Sequence, residues 1–297
     1  MILRRDARIL VQGITGREAS FWTERMLEYG ARVVAGVSPG KAGQSVSGVP
    51  VFGSVRDAVT AGPVDVSVLF VPPMAAKGAA LEAIGAGVKL VVVLTEHIPV
   101  HDVMAVLAEA RDAGARVVGP NCPGLVTPGE TFVGIMPAWA DNIFRPGEIG
   151  VVSRSGSLGT LVCLNLVRDG FGESAFVGIG GDAVNGTSHL DVLRAFEADT
   201  RTRAIVLVGE VGGGMEEEAA EYVPRMSKPV VALVAGQAAP PGKRMGHAGA
   251  IVSGGKGSAA AKMAALARGG ARVVDVPSRI GPVLRELGLS AGPRGRP

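Results

Sequence analysis

The stretch RMGHAGAIVSGGKG, residues 244–257, sets His247 among glycines and alanines that give it little to pack against, in a chain with four histidines. An imidazole in so bare a setting can be approached closely, which suits a nucleophile that accepts a phosphoryl group. Free imidazole has a pKa of about 6.5, so most of it is neutral at pH 7 and able to attack phosphorus. Fixing which nitrogen attacks needs a second group to hold the other ring N–H, usually a carboxylate or a carbonyl. Glu210, in VLVGEVGGG at an expected strand end, is the candidate, and its glycine neighbours also permit close approach. The other histidines are weaker candidates: His97 lies in LTEHIP, His101 near an expected helix start and His189 in NGTSHLD.

Two glycine turns could receive phosphate. VQGITGREA follows the first expected strand and opens the first helix; Gly13 and Gly16 match the second and third glycines of GxGxxG, with Val11 in place of the first. A dinucleotide fingerprint also wants an acidic residue about 20 residues on to hold a ribose diol. Here the chain reads GVSPGKAG, with Ser38 and Lys41, and a cation there welcomes a phosphate. The loop therefore suits an adenine nucleotide carrying a ribose phosphate, held by backbone N–H groups at a helix start. Coenzyme A and NADP both meet that description. The second turn, GVVSRSGSLGTLV, places Ser153, Ser155 and Ser157 around Gly156 at another helix start. Serine capping alone would explain it, but a phosphorylated His247 would need such a cradle.

The elements that must position these residues show a clear rhythm. Strands are expected near ARILVQG, ARVVAGV, VDVSVLFV, KLVVVL and ARVVGP, then near EIGVVS, ESAFVGI, RAIVLVGE, KPVVALVAG and ARVVDV. Helical patterns such as REASFWTERMLEYG and VHDVMAVLAEARDAG fall between them. Such alternation means βαβ units and parallel sheets. At 297 residues two doubly wound α/β domains are expected: one over residues 1–124 and one over residues 148–290. Residues 125–147 break the rhythm and read as a connector; residues 291–297 read as a disordered tail. Ligands then belong at the carboxyl ends of the strands.

Composition narrows the function further. Apolar residues make up 47% and aromatics 4%, so the core is aliphatic, as buried parallel strands require. The net charge of +3 is scattered, without the basic stripes and stacking aromatics of a nucleic-acid face. No apolar run reaches membrane-span length and no leader pattern precedes the first strand, so a cytoplasmic protein is expected. Cys122 and Cys163 give neither a disulfide framework nor a metal-ligand spacing.

Taken together and in order, VQGITG, SPGKAG, GPNCPG, VSRSG, VGIGGD, VGEVGG and above all KRMGHAGAI resemble the α subunits of succinate–CoA ligases (succinyl-CoA synthetases), over about residues 5–288. The small subunit of malate–CoA ligase shares these motifs. The resemblance implies a CoA-binding Rossmann domain followed by a flavodoxin-like ligase domain. His247 is then the residue that carries phosphate, and Glu210 stands beside it. Thr15, Gly16, Arg17, Glu18 and Lys41 fall on the CoA loop, and Thr95, Glu96 and His97 on a further CoA-contacting strand end. Ser153, Ser155, Gly156 and Ser157 face the phosphohistidine. A β subunit with an ATP-grasp domain would supply ATP or GTP with Mg²⁺. Phosphate would pass from nucleotide to His247, then to a carboxylate, and the CoA thiol would displace it from the acyl phosphate.

The chain also departs from the family's usual pattern. Thr160 stands where a tyrosine is usual, near the pocket for the acid. His97 replaces a glycine, and Trp22 is bulkier than the usual residue of the first helix. The departures at Thr160 and His97 are what would favour a non-catalytic CoA-binding subunit. An NADP oxidoreductase would need the first glycine and a site for hydride transfer, and the sequence shows neither. Cys122, in GPNCPG, is expected to be structural.

Overall fold

Residues 2–238, 246–251 and 257–292 are described by a computed structural model. Lys243, Arg244 and Met245 of the histidine motif, residues 252–256 after it and residues 293–297 of the expected tail lie outside the described residues.

The first half builds strands β1 (Arg8–Gln12), β2 (Arg32–Val37), β3 (Ser45–Val46), β4 (Val49–Phe52), β5 (Val66–Leu69), β6 (Leu90–Val93) and β7 (Arg116–Val118). Between them run helices α1 (Arg17–Tyr29), α2 (Val55–Ala61), α3 (Pro73–Gly85) and α4 (Val100–Asp112). The sheet order is β3-β4-β2-β1-β5-β6-β7, parallel except for the β3–β4 pair. Leaving out the short β3, this is the Rossmann order, which reverses between β1 and β5 and opens a crevice there. β5 and β6 are buried at every position, which explains their Val- and Leu-rich sequences.

The second half builds β8 (Gly124–Thr127), β9 (Thr131–Gly134), β10 (Pro146–Ser153), β11 (Glu173–Gly178), β12 (Ala204–Glu210), β13 (Val230–Ala235) and β14 (Arg272–Val274). Helices α5 (Gly156–Arg168), α6 (His189–Ala198), α7 (Met215–Tyr222), α8 (Ala259–Arg268) and α9 (Ile280–Glu286) pack against them. The order is β14-β13-β12-β10-β11-β8-β9. Its five parallel strands follow the flavodoxin-like order, with the switch point between β10 and β12. Ser153 ends β10 and Glu210 ends β12, so the topology sets the serine turn and the glutamate on either side of one crevice.

Residues 125–147 do more than connect. β8 and β9 pair antiparallel, Leu125 opposite Val133 and Val126 opposite Phe132, and β8 adds this hairpin to the edge of β11. The prolines that interrupt the alternation fall where they cost no ladder bond: Pro128 lies in the hairpin turn and Pro146 opens β10.

The two halves share a continuous core that includes Ile9 and Val68 of the first sheet and Val151 and Val206 of the second. Polar ties reinforce it: Thr127 Oγ1 donates to Leu3 O (2.9 Å), and Arg4 pairs with Asp199 (2.9 Å).

Candidate active site

His247 meets Glu210 as the sequence suggests. Its Nδ1 lies 2.7 Å from Oε2 and 2.9 Å from Oε1 of Glu210. A carboxylate can only accept, so Nδ1 carries a proton, and in the neutral ring Nε2 holds the lone pair. Nε2 has no hydrogen-bond partner among the described residues, and the side chain is 27% exposed. The Glu210 bond raises the pKa of His247 above that of free imidazole, with partial burial pulling the other way.

The ring rests on bare backbone. A Cβ at Gly181, just beyond β11, would lie 2.3 Å from Cγ of His247 and 2.5 Å from Nδ1. Gly249 N–H donates to Gly181 O (3.1 Å), pinning the histidine loop to that glycine. The glycine-rich sequences on both sides are thus the means by which the ring gains its seat.

The serines expected as a phosphate cradle gather at the start of α5, after β10. Ser155 caps α5 by accepting from Leu158 N–H (3.3 Å), Ser153 Oγ donates to Ser155 O (2.6 Å), and Ser155 and Ser157 hydroxyls lie 3.3 Å apart around Gly156. Arg154, between Ser153 and Ser155, points inward at 2% exposure, with Nε 3.3 Å from Glu210 Oε1. Thr160 donates its hydroxyl to Gly156 O (2.8 Å) and does not line the cavity beside His247.

The CoA-loop candidates gather at the carboxyl end of the first sheet. Gly13 has φ +80°, and a Cβ there would come within 2.7 Å of Phe70 O, so only glycine fits the turn. Gly16 begins α1 without a side-chain cap, leaving first-turn N–H groups for an anion beside exposed Arg17 and Glu18. Thr15 Oγ1 donates to Ser38 Oγ (2.9 Å), and Lys41 N–H donates to Ser38 O (3.1 Å), so Ser38 ties the glycine turn to the lysine loop. Thr95 Oγ1 donates to Val71 O (2.7 Å) at the end of β6. Glu96 and His97, exposed and 3.4 Å apart, line a cavity of about 310 Å³ whose opposite side is His247 and Asp182. The strand end from the first domain and the histidine from the second thus share one space.

Asn121 is a link the sequence reading passed over. Its N–H donates to Thr95 O (3.0 Å), its C=O accepts from Gly181 N–H (3.2 Å), and its Nδ2 donates to Asp182 Oδ1 (3.0 Å). It therefore joins the β6 end to the seat of His247. Arg154 was equally hidden, although VSRSG showed it; nothing local distinguishes an arginine aimed inward from one aimed at solvent. His189 is buried at the start of α6, and its Nε2 lies 3.2 Å from Val208 O. Burial lowers its pKa, which keeps it neutral. Cys122 is buried and contacts Val93 O (3.2 Å), and burial pushes its thiol up to about 12, so it supplies no nucleophile.

Comparison with known families agrees with this geometry. A family model described as CoA binding domain matches residues 4–97, and one described as CoA-ligase matches residues 152–272. The α subunit of succinate–CoA ligase (ADP-forming) from Methanothermobacter thermautotrophicus is 52% identical, over 97% of this chain and 98% of that protein. Subunit alpha 2 from Archaeoglobus fulgidus is 51% identical, over 97% of this chain and 99% of its own. The chain belongs to the succinate–CoA ligase α-subunit family. Among solved structures, an ATP citrate lyase mutant of Methanosaeta concilii in complex with (3S)-citryl-CoA superposes with a TM-score of 0.88 at 26% identity. That match covers 97% of this chain and 50% of that one, so the chain spans about half the length of the lyase. Membership in this acid–thiol ligase family replaces the dehydrogenase alternative. No helix among the described residues is long and apolar enough to cross a membrane.

Proposed function

We propose that this chain, paired with a β subunit bearing an ATP-grasp domain, joins succinate to CoA with ATP through a phosphohistidine at His247. The observation that carries this reading is the Glu210 bond to Nδ1 (2.7 Å), which leaves Nε2 as the attacking nitrogen. Nε2 attacks the γ-phosphorus, and the bond to ADP breaks. As the ring becomes cationic, Glu210 stabilises the charge through the retained Nδ1–H. A succinate carboxylate oxygen then attacks phosphorus, the N–P bond breaks, and succinyl phosphate forms. The CoA sulfur attacks its carbonyl carbon, inorganic phosphate leaves, and the thiol proton goes to the departing phosphate or to solvent. A bare carboxylate could not react this way, because its leaving group would be oxide.

On this reading the free first-turn N–H groups of α1, with the Gly13–Gly16 turn that lets phosphate approach them and with Arg17, Glu18 and Lys41, hold the CoA phosphates. Thr95, Glu96 and His97 lie along its path toward His247. Ser153, Ser155, Gly156 and Ser157 receive the phosphoryl group, and Thr160 stands on the acid's side of α5. The first sheet and its helices form the CoA-binding unit, and residues up to about 290, with the 125–147 segment contributing its hairpin to the edge of the second sheet, form the ligase unit. Mg²⁺ and the nucleotide base belong to the partner, which decides between ATP and GTP. The cytoplasm, where CoA and nucleotide are plentiful and buried thiols stay reduced, is the expected compartment.

Thioester formation by the αβ complex, followed with succinate, malate and citrate in turn, tests the assignment. Succinate is expected to turn over fastest, with stoichiometric ADP. Faster turnover of malate would move the assignment to a malate–CoA ligase. CoA binding without any thioester product would leave a binding subunit.

A further inference from the structure

Behind Glu210 lies a cluster of charged side chains that the mechanism above does not use. Arg154 is 2% exposed, and Glu216 and Lys262 are 0% exposed. Lys262, in the first turn of α8, pairs with Glu216 of α7 and donates to Gly212 O (2.6 Å). Arg154 Nη1 donates to that same Gly212 carbonyl (3.0 Å), while its Nε lies 3.3 Å from Glu210 and its Nη1 3.7 Å from Glu216. Glu216 Oε1 in turn accepts from Glu210 N–H (3.1 Å).

We propose that this buried Arg154–Glu216–Lys262 cluster is a positioning element of the phosphoryl relay: it fixes the Glu210 carboxylate against Nδ1 of His247 and takes up part of its charge. The inference rests on the His247 relay proposed above.

Three observations support it. First, each buried charge of the cluster has an opposite neighbour: Arg154 lies beside Glu210 and Glu216, and Lys262 beside Glu216, with the partly exposed Glu217 at 3.9 Å. Such clusters are poor stabilisers, since apolar side chains of similar volume often do as well, and their value lies in geometry. Secondly, two cations converge on one carbonyl, Gly212 O, two residues after Glu210, so both the backbone and the carboxylate of the strand end are held. Thirdly, the histidine loop is shaped around the cluster. A Cβ at Gly249 would meet Arg154 Nη2 at 2.7 Å, and one at Gly212 would meet Gly249 O at 2.1 Å. Arg154 therefore touches both the carboxylate that orients the ring and the loop that carries it.

The charges also define a direction. Among the described residues, the groups facing His247 are Glu210 from β12, Arg154 from the turn after β10 and Asp182 from the loop after β11, with Glu96 and His97 across the cavity. Neutral His189, from α6, lies near Glu216 and adds no charge. Glu210 and Asp182 favour the imidazolium, whereas Arg154 opposes it. Arg154 Nε has no aligned hydrogen bond among the described residues, so its hold on Glu210 is electrostatic. Arg154 thus offsets part of the upward push that Glu210 gives the ring's pKa, while Glu210 keeps the ring oriented.

The test uses the αβ complex, with histidine-labelled NMR titration of His247 and phosphorylation of the same samples by labelled ATP. In Arg154→Met the His247 titration, and with it the acid limb of phosphorylation, is expected to move to higher pH. Arg154→Lys keeps the charge but cannot span Gly212 O and Glu210 together. It should keep the wild-type midpoint and lose roughly 10- to 100-fold in maximal phosphorylation rate. A folded Arg154→Met complex with an unmoved midpoint overturns the inference. If that variant does not fold, Arg154→Lys decides: unchanged midpoint and unchanged rate overturn it, and a lower rate at the same midpoint supports it. Absence of label in wild type, with the expected shift of the ring titration in Arg154→Met, sinks the relay while leaving the hold of Arg154 on Glu210 in place.

Discussion

Gly181 and His247 are matched in shape: the ring occupies the volume that any β-carbon at 181 would need, with Cγ 2.3 Å from that point. The backbone of Gly181 lies outside the left-handed region, so alanine meets no conformational barrier there. The three nearest obstacles are all atoms of the ring. Gly181→Ala is expected to fold and to bind CoA, and to lose at least about 100-fold in phosphorylation, because the imidazole is displaced from Glu210. Circular dichroism and a labelling time course on one preparation check this.

Glu210→Gln removes the carboxylate while keeping its shape. Because Glu210 raises the pKa of His247, the acid limb of phosphorylation in wild type should lie above that of free imidazole, and in the variant it should move to lower pH. The maximal rate should fall about 10- to 1,000-fold, since an amide can present its N–H to the ring and select the wrong tautomer. Stability follows the same linkage. The folded state holds the His247 proton more tightly than the unfolded chain. Its contribution is complete below about pH 6.5 and is lost as pH rises through the higher folded value. Denaturant melts at a series of pH values should show that decline in wild type and a flatter profile in Glu210→Gln.

Glu173 provides an opposite handle, far from catalysis. It is buried at 1% exposure, and burial pushes its carboxyl up to about 8, although Arg145 N–H donates to it (3.0 Å). The folded state binds this proton more tightly than the unfolded chain, so the stabilisation is complete below the ordinary glutamate value near 4.5 and is lost as pH rises to about 8. Glu173→Gln keeps an acceptor without the charge. It should match wild type at pH 5 and exceed it at pH 8.5 by on the order of 2 kcal/mol, measured by urea unfolding.

His97 has φ +62°, a left-handed conformation that suits glycine, and its side chain is 80% exposed. His97→Gly is expected to stabilise the chain by about 1 kcal/mol, because the local strain disappears and little packing is lost. Thermal melting of the two proteins compares them directly, and a lower midpoint for the glycine variant would show that the imidazole makes contacts worth more than that strain.

Much of the fold was legible because parallel strands buried on both faces must be aliphatic. The Val- and Ile-rich runs of β1, β2, β5, β6 and β10–β14 are written openly, and their alternation with helices fixes the fold class. The β8–β9 hairpin was not legible, because its prolines and mixed polarity resemble a linker until Leu125 and Val126 are seen pairing with Val133 and Phe132. The His247–Glu210 pair could be anticipated, since a histidine and a glutamate each set among glycines announce close approach. Arg154, Asn121 and Lys262 could not. Their roles depend on which way a side chain turns and on residues far along the chain, and periodicity carries no such information. Lys262, on an alanine-rich helix, reads as a solvated cation, yet it is buried against Glu216.

The phosphohistidine route requires that phosphate reside on His247 between ATP and the acid. Phosphorus NMR of the αβ complex given ATP and Mg²⁺ without succinate or CoA addresses this most directly. An Nε2-phosphohistidine resonance is expected, absent in His247→Asn and discharged when succinate and CoA are added together. A phosphoenzyme signal that persists in His247→Asn, or full thioester turnover by that variant, would contradict it.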